Sequence, residues 1–340
     1  MQIHGVILAA GKGERMSPLT EIIPKALIDV AGKTLLEWAV ERYTLSGIND
    51  IFVAVGWRGT LIDDFVSNSN LNINVVHVPE YEKGPLQTTL TAIESFDGDF
   101  LLSPVDAIIE PSSMIGLLEH HSKFGTPEST MLAVSSTAKS GTPVELGDNG
   151  LVLGFGEGIA NSKINARSAM MLIGHTRIRE QCKSAIDSGD ERVIYVLREL
   201  LKDGNRVLYF DVTQPLFDVD TLSDLLDTNQ HLLLRGAIEK RLSVFIPSDD
   251  SVEVGDRLSL KSNITLGQGV SIRGPVLISS NCEIGDYCKL GPNVSIDSKT
   301  KISKECEITD AIIFGESKIS SQSQIHRCVI YDSVEYNLEV

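Results

Sequence analysis

The chain has 340 residues, 42% of them hydrophobic and 22% charged, which is the balance of a folded globular protein and excludes a disordered or fibrous one. Its formal net charge of −16 argues against nucleic acid or an anionic membrane surface as the main partner. A small anionic ligand stays within reach, because a few local cations and backbone N–H groups suffice to hold phosphates. The length exceeds that of one usual domain, so two are expected. Five cysteines, an odd number scattered along the chain, do not compose a disulfide framework. Apolar runs such as 6–10 are far too short to cross a bilayer. The first residues lead straight into a strand with no basic flank of a signal peptide, and a cytoplasmic location is the expectation.

Short apolar, β-branched runs at 3–10, 51–55, 73–78 and 100–105 read as strands. Between the first two, Leu35, Leu36, Ala39, Val40 and Tyr43 recur at helical spacing over 34–45. After the third, Leu86, Leu90 and Ile93 mark one face of a helix opened by Gly84-Pro85. Strand–helix–strand order predicts an α/β fold, a mostly parallel sheet with helices on both faces. Ligands of such sheets sit beyond the carboxyl ends of the strands, where 11–15 and Asp106 both fall. Residues 222–239 read as a helix, and Pro247-Ser248-Asp249-Asp250 as a turn.

The last quarter has a different period. Leu266, Ile272, Ile278, Ile284, Leu290, Ile296, Ile302 and Ile308 recur at every sixth position, which fits a parallel β-helix of roughly four coils. The phase then slips by one to Ile313, Ile319 and Ile325, predicting a bulge or an irregular corner. Cys282, Cys288 and Cys306 share one column of this repeat and read as stacked core residues rather than metal ligands. The expected organisation is one domain over 1–235, a linker over 236–249 and the repeat domain over 250–340.

Gly11-Lys12-Gly13 comes after a strand and lets backbone approach a phosphate closely, but alone it equally fits a plain strand-to-helix turn. It is neither a Walker A loop nor a dinucleotide fingerprint, since no Gly-Lys-Ser/Thr and no third glycine come after it. The motifs downstream carry more information. Leu8-Ala9-Ala10-Gly11-Lys12-Gly13-Glu14-Arg15 leads to Pro18-Leu19-Thr20, to Pro24-Lys25 and to Val30-Ala31-Gly32-Lys33. In that order these motifs resemble the sugar-phosphate nucleotidyltransferase (NDP-sugar pyrophosphorylase) family.

The resemblance implies a Rossmann-like nucleotidyltransferase domain followed by a left-handed parallel β-helix. It also implies Mg²⁺-dependent transfer of a nucleotidyl group from a nucleoside triphosphate to a sugar-1-phosphate or similar phosphate ester, with release of pyrophosphate. Several negative charges converge in such a reaction, so catalysis is mostly positioning and charge neutralisation. Leu8, Ala9, Ala10, Gly11 and Gly13 then lie against the nucleotide. Arg15, with its planar fork, suits the triphosphate and the departing pyrophosphate, and Lys25 the phosphates nearer the reacting centre. The family's first metal aspartate corresponds to Asp106, and its second, within Asp-x-Gly-Thr, to Asp218 of Asp218-Val219-Asp220-Thr221, where Asp220 replaces the glycine.

Three departures touch the choice of substrate. The base-binding Leu-Gly-Thr-Ala is Leu86-Gln87-Thr88-Thr89 here, with Gln87 either a base contact or an exposed helix residue. The Glu-Lys pair that grips the sugar phosphate is Glu157-Gly158, leaving Lys163 or Arg167 as substitutes, and Asn-Ala-Gly is Arg167-Ser168-Ala169. Two other classes stay open: a non-catalytic regulatory or assembly subunit with the same layout, and a bifunctional nucleotidyl and acetyl enzyme. His326 is the only histidine of the repeat and lies past the phase slip, which favours assembly of copies of the chain through the β-helix over acetyl transfer.

Overall fold

The computed structural model describes residues 2–126, 129–138, 141–156, 159–235, 244–245, 253–254 and 258–338. Most of the expected linker 236–249, the expected turn 247–250 and the pair Glu157-Gly158 lie outside the described residues. The chain divides into two compact units, one of Met1–Lys12, Ile23–Ala26 and Leu36–Asp218, the other of Gly13–Ile22, Leu27–Leu35 and Val219–Val340. No helix among the described residues is long and apolar enough to cross a membrane.

The first unit is built on a nine-stranded sheet. Its elements run β1 (Ile3–Ala9), α1 (Leu35–Leu45), β2 (Ile51–Val55), α2 (Gly59–Ser67), β3 (Asn74–His77), α3 (Pro85–Ile93), β4 (Asp99–Pro104), α4 (Pro111–Phe124) and β5 (Thr130–Ser135). They continue as β6 (Pro143–Leu146), β7 (Val152–Phe155), β8 (Ala166–His175), α5 (Arg179–Asp187), α6 (Ile194–Lys202) and β9 (Val207–Asp211). The central path is β7-β6-β8-β4-β1-β2-β3, with β5 pairing β8 and β9 pairing β5. Strands β4, β1, β2 and β3 are mutually parallel, as the strand–helix alternation of this half requires. The other half is mixed. β8 runs antiparallel to β4, β5 and β6, because the chain returns to the sheet there without a crossover helix. The core obeys the pattern: Val6, Ile7, Val53, Ala54, Phe100 and Leu101 are all sealed from solvent.

The second unit contains the repeat. Parallel strands stack on three faces, five of them on the face that runs from Val244–Phe245 through Ile264–Leu266, Glu283–Ile284 and Lys301–Ile302 to Lys318–Ile319. This is one rung more than roughly four coils. Leu266 pairs with Ile284, Ile284 with Ile302, and Leu290 with Ile308, so one turn of three hexapeptides returns each aliphatic residue above its predecessor. All eight residues of the period are buried. The phase slip is a shortened corner: Glu307–Phe314 is one continuous strand, bent at Asp310 (φ 47), and it pairs on two successive faces. Gln324–Tyr331 repeats the device at Arg327 (φ 48). Cys282, Cys288 and Cys306 are buried in the core of the repeat. Burial pushes the Cys282 and Cys288 thiols up to about 11, so they are inert protonated thiols.

Helix α7 (Leu222–Arg235) belongs to the same unit. It starts with a capping box in which the Thr221 hydroxyl accepts from the Asp224 N–H at 3.1 Å and Asp224 accepts from the Thr221 N–H at 2.8 Å. The motif Val30-Ala31-Gly32-Lys33 forms the tip of a two-stranded hairpin whose Ala31 and Gly32 are both left-handed (φ 50 and 80). The Ala31 N–H donates to Asn229 Oδ1 of α7 at 3.0 Å, and Asn229 Nδ2 donates to the Asn293 carbonyl of the β-helix at 3.2 Å. Asn229 is fully buried, so one side chain fastens the hairpin, the helix and the repeat. Asn229→Ala removes both hydrogen bonds, leaves the Ala31 N–H without this acceptor, and is expected to cost about 2 kcal/mol; chemical denaturation of the full chain that shows no change in midpoint would contradict this role.

Candidate active site

The carboxyl ends of β1, β2 and β4 are stitched together. The Val105 N–H donates to the Leu8 carbonyl at 3.0 Å, and the Trp57 N–H to the Ala10 carbonyl at 2.9 Å. This fixes Leu8, Ala9 and Ala10 at the rim where a parallel sheet binds ligands. At Gly11 a side chain would meet no protein atom within 4 Å, so its backbone faces open space. Lys12 lies 5.3 Å above the Trp57 ring and 3.5 Å from Glu82.

Three predicted residues meet here. Asp106 comes directly after β4, and Lys25 donates to its Oδ2 at 2.5 Å; Lys25 is only 7% exposed. Phe217–Asp218 pairs antiparallel with Ala107–Ile108, placing Asp218 opposite Ala107. Carboxylate oxygens of Asp106 and Asp218 lie within 4.8 Å of each other. The cap of α7 is made by Thr221 and Asp224, so Asp218 is not needed as its helix-end acid. Two oxygen-donor carboxylates this close suit a hard divalent cation.

The turn carrying Asp106 is held from below by two residues that sequence reasoning leaves as ordinary helix positions. Arg42 of α1 is 3% exposed, and its guanidinium donates to the Ala107 carbonyl, to Pro104 O at 2.9 Å and to Ser103 Oγ at 3.2 Å. Burial pulls its pKa down to about 10, opposed by the Tyr43 and Asp106 charges, so it stays a cation at neutral pH. The Tyr43 hydroxyl reaches Val6 O at 3.0 Å, Leu101 O at 3.1 Å and Ser103 Oγ at 3.1 Å, and burial pushes it up to about 12. A guanidinium with such partners shows in the sequence only as one charged residue on a helix.

Gly13 and Arg15 belong to the second unit. Gly13 is left-handed (φ 67), and its carbonyl accepts from the Met16 N–H and the Thr20 hydroxyl, both at 2.9 Å, closing the turn that presents Arg15. Arg15 pairs with Asp220 at 2.7 Å. The residue that departs from the family's glycine is therefore the partner of the family's arginine, a pairing that two distant motifs do not reveal.

Gln87 is half-buried in the first turn of α3, its amide donating to Thr91 Oγ1 at 3.4 Å. Of the substitutes for the missing acceptor cation, Lys163 pairs with Glu145 at 3.3 Å and Arg167 donates to the Gly141 carbonyl at 3.1 Å. Arg192, which the sequence does not single out, stacks 4.7 Å from the Tyr195 ring. Tyr195 lies against Gly156, and Glu191 accepts from the Leu86 N–H at 2.8 Å, tying this segment to the start of α3.

Comparison with known proteins matches residues 5–204 to the MobA-like NTP transferase domain. The chain belongs to that family. Residues 272–337 match the GMPPB C-terminal domain. An N-acetylmuramate alpha-1-phosphate uridylyltransferase of Neisseria meningitidis serogroup B is 43% identical over 87 residues, 25% of this chain and 37% of the relative. A bifunctional IPC transferase and DIPP synthase of Rubrobacter xylanophilus is 30% identical over 227 residues, 66% of this chain and 50% of the relative. The bifunctional protein GlmU of Methanocaldococcus jannaschii is 28% identical over 268 residues, 74% of this chain and 61% of the relative. The chain thus spans between 37% and 61% of the length of these relatives. Within the NTP transferase domain, Arg42→Met leaves the Pro104 and Ala107 carbonyls without their donor, at an expected cost of about 3 kcal/mol or a fall in melting temperature of about 10 °C. Calorimetry that finds the variant as stable as the parent would remove Arg42 from this role.

Proposed function

We propose that the chain transfers a nucleotidyl group from a nucleoside triphosphate to a sugar-1-phosphate, releasing pyrophosphate. The observation that carries the reading is the ion pair of buried Lys25 with half-buried Asp106, with Asp218 beside it, near the open Gly11 turn. An acceptor phosphate oxygen forms a bond to the α-phosphorus while the bond from that phosphorus to the β-phosphate oxygen breaks. Lys25 holds its ammonium where negative charge accumulates on the α-phosphate. Gly11 offers the phosphates a backbone with no side chain in the way. Asp106 and Asp218 would hold Mg²⁺, which when bound supplies charge neutralisation and orientation of the phosphates. Arg15 keeps the triphosphate role that its motif implies, with Asp220 as its partner.

The acceptor side takes Arg192 as its phosphate cation. Lys163 is drawn to Glu145 and Arg167 to a backbone carbonyl, whereas the exposed Arg192 is steadied by the Tyr195 ring and hydroxyl, and Tyr195 lies against Gly156. The similarity to an N-acetylmuramate alpha-1-phosphate uridylyltransferase supports a sugar-1-phosphate as acceptor. The same reading assigns the β-helix to assembly of copies of the chain: His326 is exposed, and its Nδ1 is engaged by the Thr309 hydroxyl at 2.8 Å. It also takes 1–235 as the transferase domain, 250–340 as the repeat, and a cytoplasmic setting.

Asp106→Asn is expected to lower the rate of pyrophosphate release at least 10²-fold while the chain still folds, as circular dichroism would show. Chelation by EDTA should stop turnover and added Mg²⁺ restore it; full activity of the variant or in EDTA would refute this site. Arg192→Ala should raise KM for the sugar-1-phosphate about ten-fold and leave KM for the triphosphate unchanged. Equal effects on both constants would move Arg192 out of the acceptor subsite.

A further inference from the structure

We propose that Tyr195 is a positioning residue for the acceptor phosphate, holding Arg192 in one pose before a sugar-1-phosphate arrives. The proposal rests on the reading of Arg192 as the acceptor cation. Arg192, Tyr195 and Arg198 recur at every third position along the lead into α6 and its first turns. The chain enters that helix through a tight turn. There the Tyr195 N–H donates to the Arg192 carbonyl and the Val196 N–H to the Val193 carbonyl, both at 3.1 Å. Bonds from i to i+3 bring residues three apart onto one line, so the backbone itself sets Arg192 against Tyr195. Arg198, three residues further along the helix, is the next neighbour on that side.

Both guanidiniums lie against the same ring. The central carbon of Arg192 is 4.7 Å from the ring centroid and that of Arg198 4.3 Å. Arg192 also donates to the Tyr195 hydroxyl. The ring is half-buried and packs against the core of the first unit, so it is a fixed support. Two like charges beside one ring repel, and Asp190 relieves this. Its two carboxylate oxygens accept from Arg198 Nη2 at 3.2 and 3.1 Å. Arg198 is thereby kept from competing for an anion, while Arg192 stays exposed.

This arrangement suits recognition of a phosphate. A guanidinium held by its face against an aromatic ring keeps N–H donors at its edge for the anion. An unsupported arginine gives up the rotamer freedom of a long side chain when it grips a ligand, and one already held gives up less. The backbone beside Arg192 is held as well, since the Glu191 carbonyl accepts from the Leu86 N–H at 2.8 Å. A tyrosine with a purely structural role would make the same ring contacts, and the two roles part in how its loss affects binding.

The test measures binding without turnover, by ³¹P NMR titration of the full chain with glucose 1-phosphate and N-acetylglucosamine 1-phosphate. The common nucleoside triphosphates serve as the donor-side control. Tyr195→Leu, checked for folding by circular dichroism, should weaken the sugar phosphate about five-fold and leave the triphosphate unchanged. Tyr195→Phe keeps the ring and should stay within about two-fold of the parent. Arg192→Lys, a surface change that keeps the charge but loses the planar face, should match Tyr195→Leu. In an Arg192→Ala background Tyr195→Leu should have no further effect, the coupling that a structural role does not produce. An undiminished effect in that background, equal weakening of the triphosphate, or full affinity in Arg192→Lys would overturn the positioning role. Full affinity in Tyr195→Leu beside a loss in Arg192→Ala would overturn it and leave the acceptor reading standing. No loss in Arg192→Ala, or no binding of either sugar phosphate to the parent, would refute the acceptor reading and the proposal with it.

Discussion

A single buried guanidinium fixes the part of the first unit on which the proposed chemistry depends. Arg42 gathers Ser103, Pro104 and Ala107 around one cation, so the turn between them can present Asp106 in only one way. Leaving such a charge in the interior is tolerable because its two terminal nitrogens find well-placed acceptors. Tyr43, next in the same helix, ties β1 to β4 through Val6 and Leu101. The two side chains together lock the two strands whose carboxyl ends bear Gly11 and Asp106. Lys25 and Asp218 then add the opposite charge and the second carboxylate to a turn that is already rigid. Preorganised charge of this kind acts without reorganising during the reaction, which is where electrostatic catalysis gains most.

The second unit uses another economy. Its three-sided repeat returns an aliphatic residue to the same column every turn, so the core extends by stacking with no new packing problem. Asparagine supports the corners: Asn263, Asn281 and Asn293 all take left-handed φ, a region this side chain tolerates. Asn293 serves twice, since its carbonyl also receives Asn229 of α7. Through Asn229 the hairpin of the Val-x-Gly-Lys motif is fastened to the repeat within one unit. Part of the nucleotidyltransferase signature is thus a structural clasp.

Local patterns are readable where geometry is local. The strands expected at 51–55 and 100–105 are Ile51–Val55 and Asp99–Pro104, and Pro85–Ile93 opens as Gly84-Pro85 foretells. The period of six locates the repeat, and its slip after Ile308 locates the bend at Asp310, whereas the second bend at Arg327 is not marked by it. The antiparallel half of the sheet is not legible, because strand direction depends on how the chain returns and not on the residues of the strand. Within the site, Lys25, Asp106 and Asp218 are marked by their motifs, and the structure brings these three together. Arg42 and Arg192 escape notice because a lone arginine on a helix or loop reads as solvated surface until its partners are known. Asp220 reads in sequence as a departure, and its meaning as the partner of Arg15 requires three dimensions.

These elements converge on one account, in which a rigid carboxylate turn and a buried lysine serve attack on an α-phosphate. The altered acceptor loops fit a change of sugar more readily than loss of activity, since the triphosphate motifs are intact. The most direct test is ³¹P NMR of the purified chain with Mg²⁺, each of the common nucleoside triphosphates and a panel of sugar-1-phosphates. The account predicts that one pairing yields nucleoside-diphosphate sugar and pyrophosphate in equal amounts. Unchanged triphosphate across the panel, or its hydrolysis with no sugar nucleotide formed, would contradict it.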